Sequence, residues 1–308
     1  MFSNGAGGVT RPSTRTTTES TGRVNRFLWT RGLSKLRTRE THSSSSISRH
    51  DQSRVYSFSV DNVEGSSRRT LYVEGLVNAR DLGGLRRLDG TTTPRGVFYR
   101  SENVDGITPA GWEQVYQTGI RTIVDLRDAS ERASDRNERP TWIRTLTVEL
   151  NGFADDEFWR DYLPNGLART ALYFLPHLEA MPNRAVSALS AIVSAPPGGV
   201  LFHCLRGRDR TGMISLLLLS AVNTDPEEIV DDYLETVRRG DLRAAWSYEN
   251  NEEAALEAFC QSLGTSTENA FRTALAALDL RGVLSAADVS PEVEEALMSW
   301  RGSIQLHY

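Results

Sequence analysis

The residues of this chain best suited to chemistry lie in one run, His203-Cys204-Leu205-Arg206-Gly207-Arg208-Asp209-Arg210-Thr211-Gly212, where a cysteine precedes an arginine by six positions. A free thiol is mostly protonated at neutral pH, so a nucleophilic Cys204 needs neighbouring donors that favour its anion. Arg210 offers a planar fork of N–H groups that holds two oxygens of a phosphoryl group and follows them as charge shifts. Gly207 lets the backbone turn with positive φ and approach a ligand without a Cβ in the way. Thr211 is placed to hydrogen-bond the sulfur and stabilise it as a leaving group in a second step. His203 is read as orienting the loop through its ring N–H rather than transferring protons.

Such a run works only if local structure aims its backbone. Gly199 to Phe202 reads as a short buried strand, and Met213 to Val222 is an apolar run long enough for a buried helix. Between a strand end and a helix start, the N–H groups of Leu205, Arg206, Gly207, Arg208, Asp209 and Arg210 converge on one anion, assisted by the positive end of the helix. A bare Cys-x5-Arg spacing arises readily by chance in an arginine-rich chain. The whole string with its flanking strand and helix is far more specific.

Other local signals predict the frame. Thr108-Pro109 reads as an N-cap with proline at the first helical position, and Gly119 ends that helix before a strand around Ile123. Asp225-Pro226-Glu227-Glu228 reads as a capping box opening a helix through about Arg238, and Ser290-Pro291 opens another. Strands near Val97, Ile123, Leu146 and Leu201 alternate with helices. The expected fold is therefore α/β, a mostly parallel central sheet flanked by helices, with an all-helical C-terminal portion from about residue 225. That portion is expected to pack over the sheet or form a lid beside the loop.

The catalytic run resembles the signature of cysteine-based protein tyrosine phosphatases, and three further segments are similar to one branch, the bacterial and fungal tyrosine phosphatase family 3. These are Asn78-Ala79-Arg80-Asp81-Leu82-Gly83-Gly84, then Val97-Phe98-Tyr99-Arg100-Ser101, then Thr122-Ile123-Val124-Asp125-Leu126-Arg127 trailed by Glu131. The resemblance covers roughly residues 71–242 well and the remaining helices loosely. Two positions depart from it: Arg208 stands where the branch usually has lysine, and Ala79 where it usually has phenylalanine.

The resemblance implies a tyrosine-phosphatase-like fold and two-step phosphomonoester hydrolysis through a phosphocysteine on Cys204, with no metal or other cofactor. Positive charge would come from Arg210, the loop amides and Arg208. No Trp-Pro-Asp loop is present to carry the general acid, so two aspartates compete for that role. Asp209 lies in the loop itself, and Asp125 lies at a strand C-terminus, the edge where sites of open α/β sheets gather. Asp209 is slightly favoured. The structural alternatives are that Asp209 anchors the loop and that Asp125 pairs with Arg127. Arg80 and Asp81 are read as bracing the N-terminal segment against the loop, and Asp231, Asp232 and Tyr233 as part of a solvated charged face.

The chain has 308 residues, 39% hydrophobic and 24% charged, enough to bury a full core. Residues 1–54 are rich in Ser, Thr and Arg, with Glu19, Glu40 and Asp51 as acids, and are expected to form a disordered basic tail ahead of a phosphatase domain spanning 55–308. The formal net charge of −5 then makes the folded part more acidic than the total. A basic tail of this kind suits weak contact with an acidic partner or a membrane surface. No apolar run is long enough for a transmembrane segment, and two cysteines make no disulfide framework, which together favour a cytoplasmic setting. Cys260 is read as a small core residue. The expected substrate is a phosphotyrosyl protein or a phosphoinositide. A catalytically silent phospho-binding module and a rhodanese-like sulfur-transfer loop are the readings from other classes.

Overall fold

A computed structural model describes residues 68–133, 135, 138–153, 156–247 and 250–302. The chain divides into two units, Met1–Phe58 and Ser59–Tyr308. The predicted basic tail, residues 1–54, lies outside the described residues.

Five strands form one mixed sheet: β1 (Arg80–Asp81), β2 (Phe98–Ser101), β3 (Ile120–Asp125), β4 (Arg144–Thr147) and β5 (Gly199–His203). The order is β1-β2-β5-β3-β4; β1 runs antiparallel to β2 and every other pairing is parallel. The strand leading into Cys204 is thus central, with β2 on one side and β3 on the other. Tyr99 and Ile123 both pair with Leu201, and Ser101 and Asp125 both pair with His203.

Period-two alternation decides the two cores. Phe98, Val124, Val200 and Phe202 face one apolar cluster, while Tyr99, Ile123 and Leu201 face the other. The first is covered by α5 (Pro182–Val193) and α6 (Asp209–Ala221), the second by α1 (Pro109–Gln117) and the segment around Leu71 and Leu76. Buried on both faces, the central strands match the near-continuous hydrophobic runs seen in the sequence.

The predicted helix starts are present. Thr108 Oγ1 accepts from Gly111 N at 3.1 Å, Asp225 Oδ1 from Glu227 N at 3.0 Å and Ser290 Oγ from Val293 N at 3.4 Å. The remaining α-helices are α2 (Ala129–Arg132), α3 (Asp156–Tyr162), α4 (Phe174–Ala180), α7 (Pro226–Arg238), α8 (Gly240–Ser247), α9 (Glu253–Ser262), α10 (Thr267–Ala276), α11 (Leu280–Ala286) and α12 (Pro291–Met298).

Two roles are divided among the C-terminal helices. α11 and α12 pack on α5 and α6, over the helical layer rather than the sheet itself. The chain beyond α12 joins the core directly: Trp300 meets Phe98 edge-on at 4.7 Å, and its indole N–H donates to Pro94 O at 3.1 Å. The start of α9, in contrast, places Glu252 and Glu253 beside the Cys204 loop. Among the described residues, no helix is long and apolar enough to cross a membrane.

Candidate active site

Residues 204–208 connect the end of β5 to the start of α6, and the carbonyls of this connection reveal how it is oriented. Cys204 O lies 3.0 Å from His203 Nδ1; Leu205 O accepts from Asn103 N at 3.0 Å; Arg206 O accepts from Asn78 Nδ2 at 3.4 Å; Gly207 O accepts from Arg100 Nη2 at 2.7 Å; and Arg208 O accepts from Gly212 N at 2.8 Å. Three of these carbonyls, those of Leu205, Arg206 and Gly207, are tied to donors from other segments on the outside of the loop, and that of Arg208 already belongs to the α6 ladder. In a planar trans peptide the following N–H points opposite to the carbonyl, so the N–H groups of residues 206–208 turn inward. Among the described residues, the N–H groups of Leu205, Gly207 and Arg208 have no main-chain partner. The result is an inward set of donors at a helix N-terminus, the arrangement that binds an oxyanion and favours a thiolate.

Gly207 is required by this geometry. Its φ is +66°, and a Cβ there would lie 2.6 Å from Ser101 O.

A buried network fixes the outer donors. Arg100 reaches Gly207 O with one arm of its guanidinium and Asp232 Oδ2 with the other, at 2.6 Å. Arg80 donates to Asp232 Oδ1 at 2.9 Å, to Thr236 Oγ1 at 2.8 Å and to Asn78 Oδ1 at 2.7 Å, and Arg69 reaches Asp232 Oδ1 at 2.8 Å. Burial alone would raise the Asp232 carboxyl, but Arg80, Arg100 and Arg69 hold it well below the usual range. The solvated-face reading of Asp232 is therefore corrected: it is 1% exposed and joins three arginines. Asp81 acts more locally, accepting from Gly83 N at 2.7 Å and Gly96 N at 3.0 Å.

Inside the loop, Cys204, Leu205, Arg206, Asp209 and Arg210 line a cavity of about 310 Å³ together with Asn151, Ala168, Arg169, Tyr173 and Glu252. Arg210 is nearly buried, and both its terminal nitrogens bond the carboxylate of Glu131, one of them at 2.7 Å. Burial would raise Glu131, but the Arg210 hydrogen bond outweighs it and keeps the carboxyl below its ordinary value. Glu131 therefore stays ionised and fixes the plane of the guanidinium. Thr211 Oγ1, in the first turn of α6, is buried without a hydrogen-bond partner among the described residues.

Two predicted roles are corrected. Asp125 is 1% exposed and receives Arg127 Nη2 at 2.8 Å and Arg127 Nε at 3.0 Å; it does not line the cavity. Burial pushes its carboxyl up, but Arg127 overcomes this and holds it at about 2, where it has no proton to donate near neutral pH. The side chain of Arg208 turns out of the catalytic cavity. It bonds Glu253 at 3.0 Å, Arg169 O at 2.7 Å and Asp209 Oδ1 at 2.9 Å, and lies over the Tyr233 ring. Only its backbone N–H remains on the ligand side.

His203 is fully buried, and burial lowers it to about 4, so the ring is neutral near pH 7. Its Nε2 lies 3.7 Å from Asp125 Oδ2. Cys260 is buried and free, as is Cys204. Among the described residues, no cluster of three His, Cys, Asp or Glu side chains is placed to hold a metal ion.

A central strand, a cysteine-bearing anion loop and an arginine at the next helix start define a class of phosphoryl-handling proteins. Residues 71–282 match the model of the tyrosine phosphatase family, and the chain belongs to that family. A Cupriavidus necator protein named as a tyrosine-protein phosphatase is 30% identical over 177 residues, 56% of this chain and 64% of the relative. A tyrosine-protein phosphatase of Nostoc commune is 29% identical over 148 residues, 46% of this chain and 49% of the relative. Triple specificity protein phosphatase PtpB of Mycobacterium tuberculosis is 30% identical over 189 residues, 52% of this chain and 66% of the relative. The chain thus spans between about half and just under two thirds of the length of these relatives. A crystal structure of P. aeruginosa TpbA in complex with pTyr superposes with a TM-score of 0.35 at 14% identity, covering 63% of this chain and 87% of that one.

Proposed function

We propose that the chain is a cysteine-dependent protein tyrosine phosphatase that hydrolyses phosphomonoesters through a phosphocysteine. One observation carries this reading: the outward-tied carbonyls of Leu205, Arg206 and Gly207 aim the N–H groups that follow them toward the cavity that Cys204 and Arg210 line. In the first step Cys204 Sγ attacks phosphorus, the ester P–O bond breaks, and the leaving oxygen takes a proton from Asp209, the loop carboxyl that lines the cavity. In the second, water attacks phosphorus while giving a proton back to Asp209, the P–S bond breaks and inorganic phosphate leaves, with Thr211 Oγ1 donating to the released sulfur. Arg210 and the loop amides stabilise the equatorial oxygens throughout.

Phosphotyrosine is favoured over a polyanionic headgroup. Arg208, the loop arginine whose charge would suit a further ring phosphate, is buried and taken by Glu253. The name of the Mycobacterium tuberculosis relative makes a broader substrate panel worthwhile.

Turnover of p-nitrophenyl phosphate and of a phosphotyrosyl peptide is expected from the wild type and not from Cys204→Ser. Equal rates for the two proteins would remove the nucleophile. Faster turnover of phosphoinositide vesicles than of the peptide would overturn the substrate assignment. Asp209→Asn should slow esters with poor leaving groups about a hundredfold or more while sparing p-nitrophenyl phosphate, whose leaving group needs little protonation.

A further inference from the structure

Three charged side chains at the cavity rim have no place in the two chemical steps. Arg169, from the segment between α3 and α4, and Arg206, from the catalytic loop, both ion-pair with the same carboxylate oxygen of Glu252. Glu252 is the N-cap of α9, yet its side chain caps nothing; Asn251 Oδ1 takes the Glu253 N–H instead, at 3.0 Å. The carboxylate is therefore committed to the rim. Arg169 is held there from behind, because its carbonyl accepts from the buried Arg208 at 2.7 Å.

The same three residues line a second cavity of about 260 Å³, whose far side includes Arg243, Trp246, Asn250 and Asn251. Leu205 and Asp209 also border both spaces, so Glu252 stands between the catalytic cavity and its neighbour. The side chains of Arg169, Arg206 and Glu252 are 48%, 34% and 33% exposed, so water screens the pairs and exchange of partners costs little.

We propose that Arg169 and Arg206 form a subsite for an anionic group flanking the phosphotyrosine of a peptide, and that Glu252 occupies it until such a group displaces it. The inference rests on the proposed phosphatase function and names its substrate class: phosphotyrosyl peptides with an acidic side chain or a second phosphoryl group beside the tyrosine. Overall charge works against such a preference, since the chain carries −5 and repels anions at a distance. Any preference must come from local arginines.

The test is calorimetric binding of matched phosphotyrosyl peptides to the full chain carrying Cys204→Ser, with neutral, glutamate-flanked and doubly phosphorylated versions. The acidic peptides should bind roughly threefold tighter than the neutral one, rising to roughly tenfold when Glu252→Gln is added and falling to parity when Arg169→Gln is added instead. Raised salt should shrink the difference. The glutamate and phosphoryl arms separate the two sources of charge. A neutral phosphopeptide that fails to bind would overturn the functional reading and the subsite with it. Binding of the neutral peptide with no gain from flanking charge, or a gain insensitive to both rim variants, would overturn the subsite alone.

Discussion

The inner and outer sides of the loop at residues 204–210 are both rich in arginine, and they use it differently. On the inner side Arg210 bonds the carboxylate of Glu131, with Asp128 Oδ2 also within 3.5 Å, and opens onto a cavity of about 310 Å³. On the outer side Arg80 and Arg100 are 1% exposed and converge with Arg69 on Asp232. The inner arginine is held in orientation but keeps N–H groups for a ligand. The outer ones are consumed by protein acceptors, and their work is to hold Gly207 O outward so that the next N–H points in. A loop that must present its donors to an anion needs its carbonyls restrained elsewhere, and this chain does so with a buried cluster of charges.

Asp232→Ala leaves three buried guanidiniums without their common counter-ion and should cost about 3–5 kcal/mol of stability, read as a lowered denaturation midpoint with an unchanged slope. A stable Asp232→Ala protein with full activity would show that the outer cluster is dispensable. From the inner side, Arg210→Lys should lower kcat by roughly a hundredfold to a thousandfold while leaving the midpoint within about 1 kcal/mol of wild type, because lysine cannot span two phosphoryl oxygens. Equal losses of stability and rate would erase the division of labour. Glu131→Gln sharpens the inner side further. It keeps the shape but removes the charge that orients Arg210, and kcat should drop by about tenfold, less than for Arg210→Lys.

Acid should distinguish the protein from its site. Burial lowers His203 and His177 to about 4, below the value of about 6.5 expected in the unfolded chain. Between these values the unfolded state binds more protons, so stability is complete above about pH 6.5 and falls as pH drops toward 4, by on the order of 3 kcal/mol per histidine. Replacing His177, which lies 3.0 Å from Leu150 O and away from the cavity, with Gln should flatten that part of the stability profile while leaving the pH profile of kcat in place. A stability profile unchanged by the substitution would contradict the assignment of acid sensitivity to this buried ring.

How much was readable in advance follows physical range. The strand-loop-helix run at 199–222 and the proline-marked helix starts at Thr108, Asp225 and Ser290 are local, and each has a residue-level cause. The roles of Asp232 and Arg208 are not legible because their partners lie far away in sequence, whereas for Asp125 the structure takes the pairing with Arg127 that the sequence left open beside catalysis. Asp232 meets Arg80 across 152 positions, a distance over which a single sequence carries no pairing signal. Arg208 differs from Arg210 only in the side of the helix start on which it falls, and Glu253, which draws it away, belongs to a helix whose placement no pattern specifies. Asp125 does lie at a strand end, but Arg127 two positions on buries its carboxylate away from the cavity that Asp209 lines. Glu131 was visible as the trailing residue of a motif, without a role until Arg210 was seen resting on it.

The central claim is that Cys204 Sγ takes the phosphoryl group from the substrate. Rapid acid quench during turnover, followed by peptide mass spectrometry, tests it most directly. A phosphoryl group on the peptide containing Cys204, absent from Cys204→Ser and absent without substrate, is the predicted result; steady turnover with phosphorus found on no cysteine, or on another residue, would contradict it.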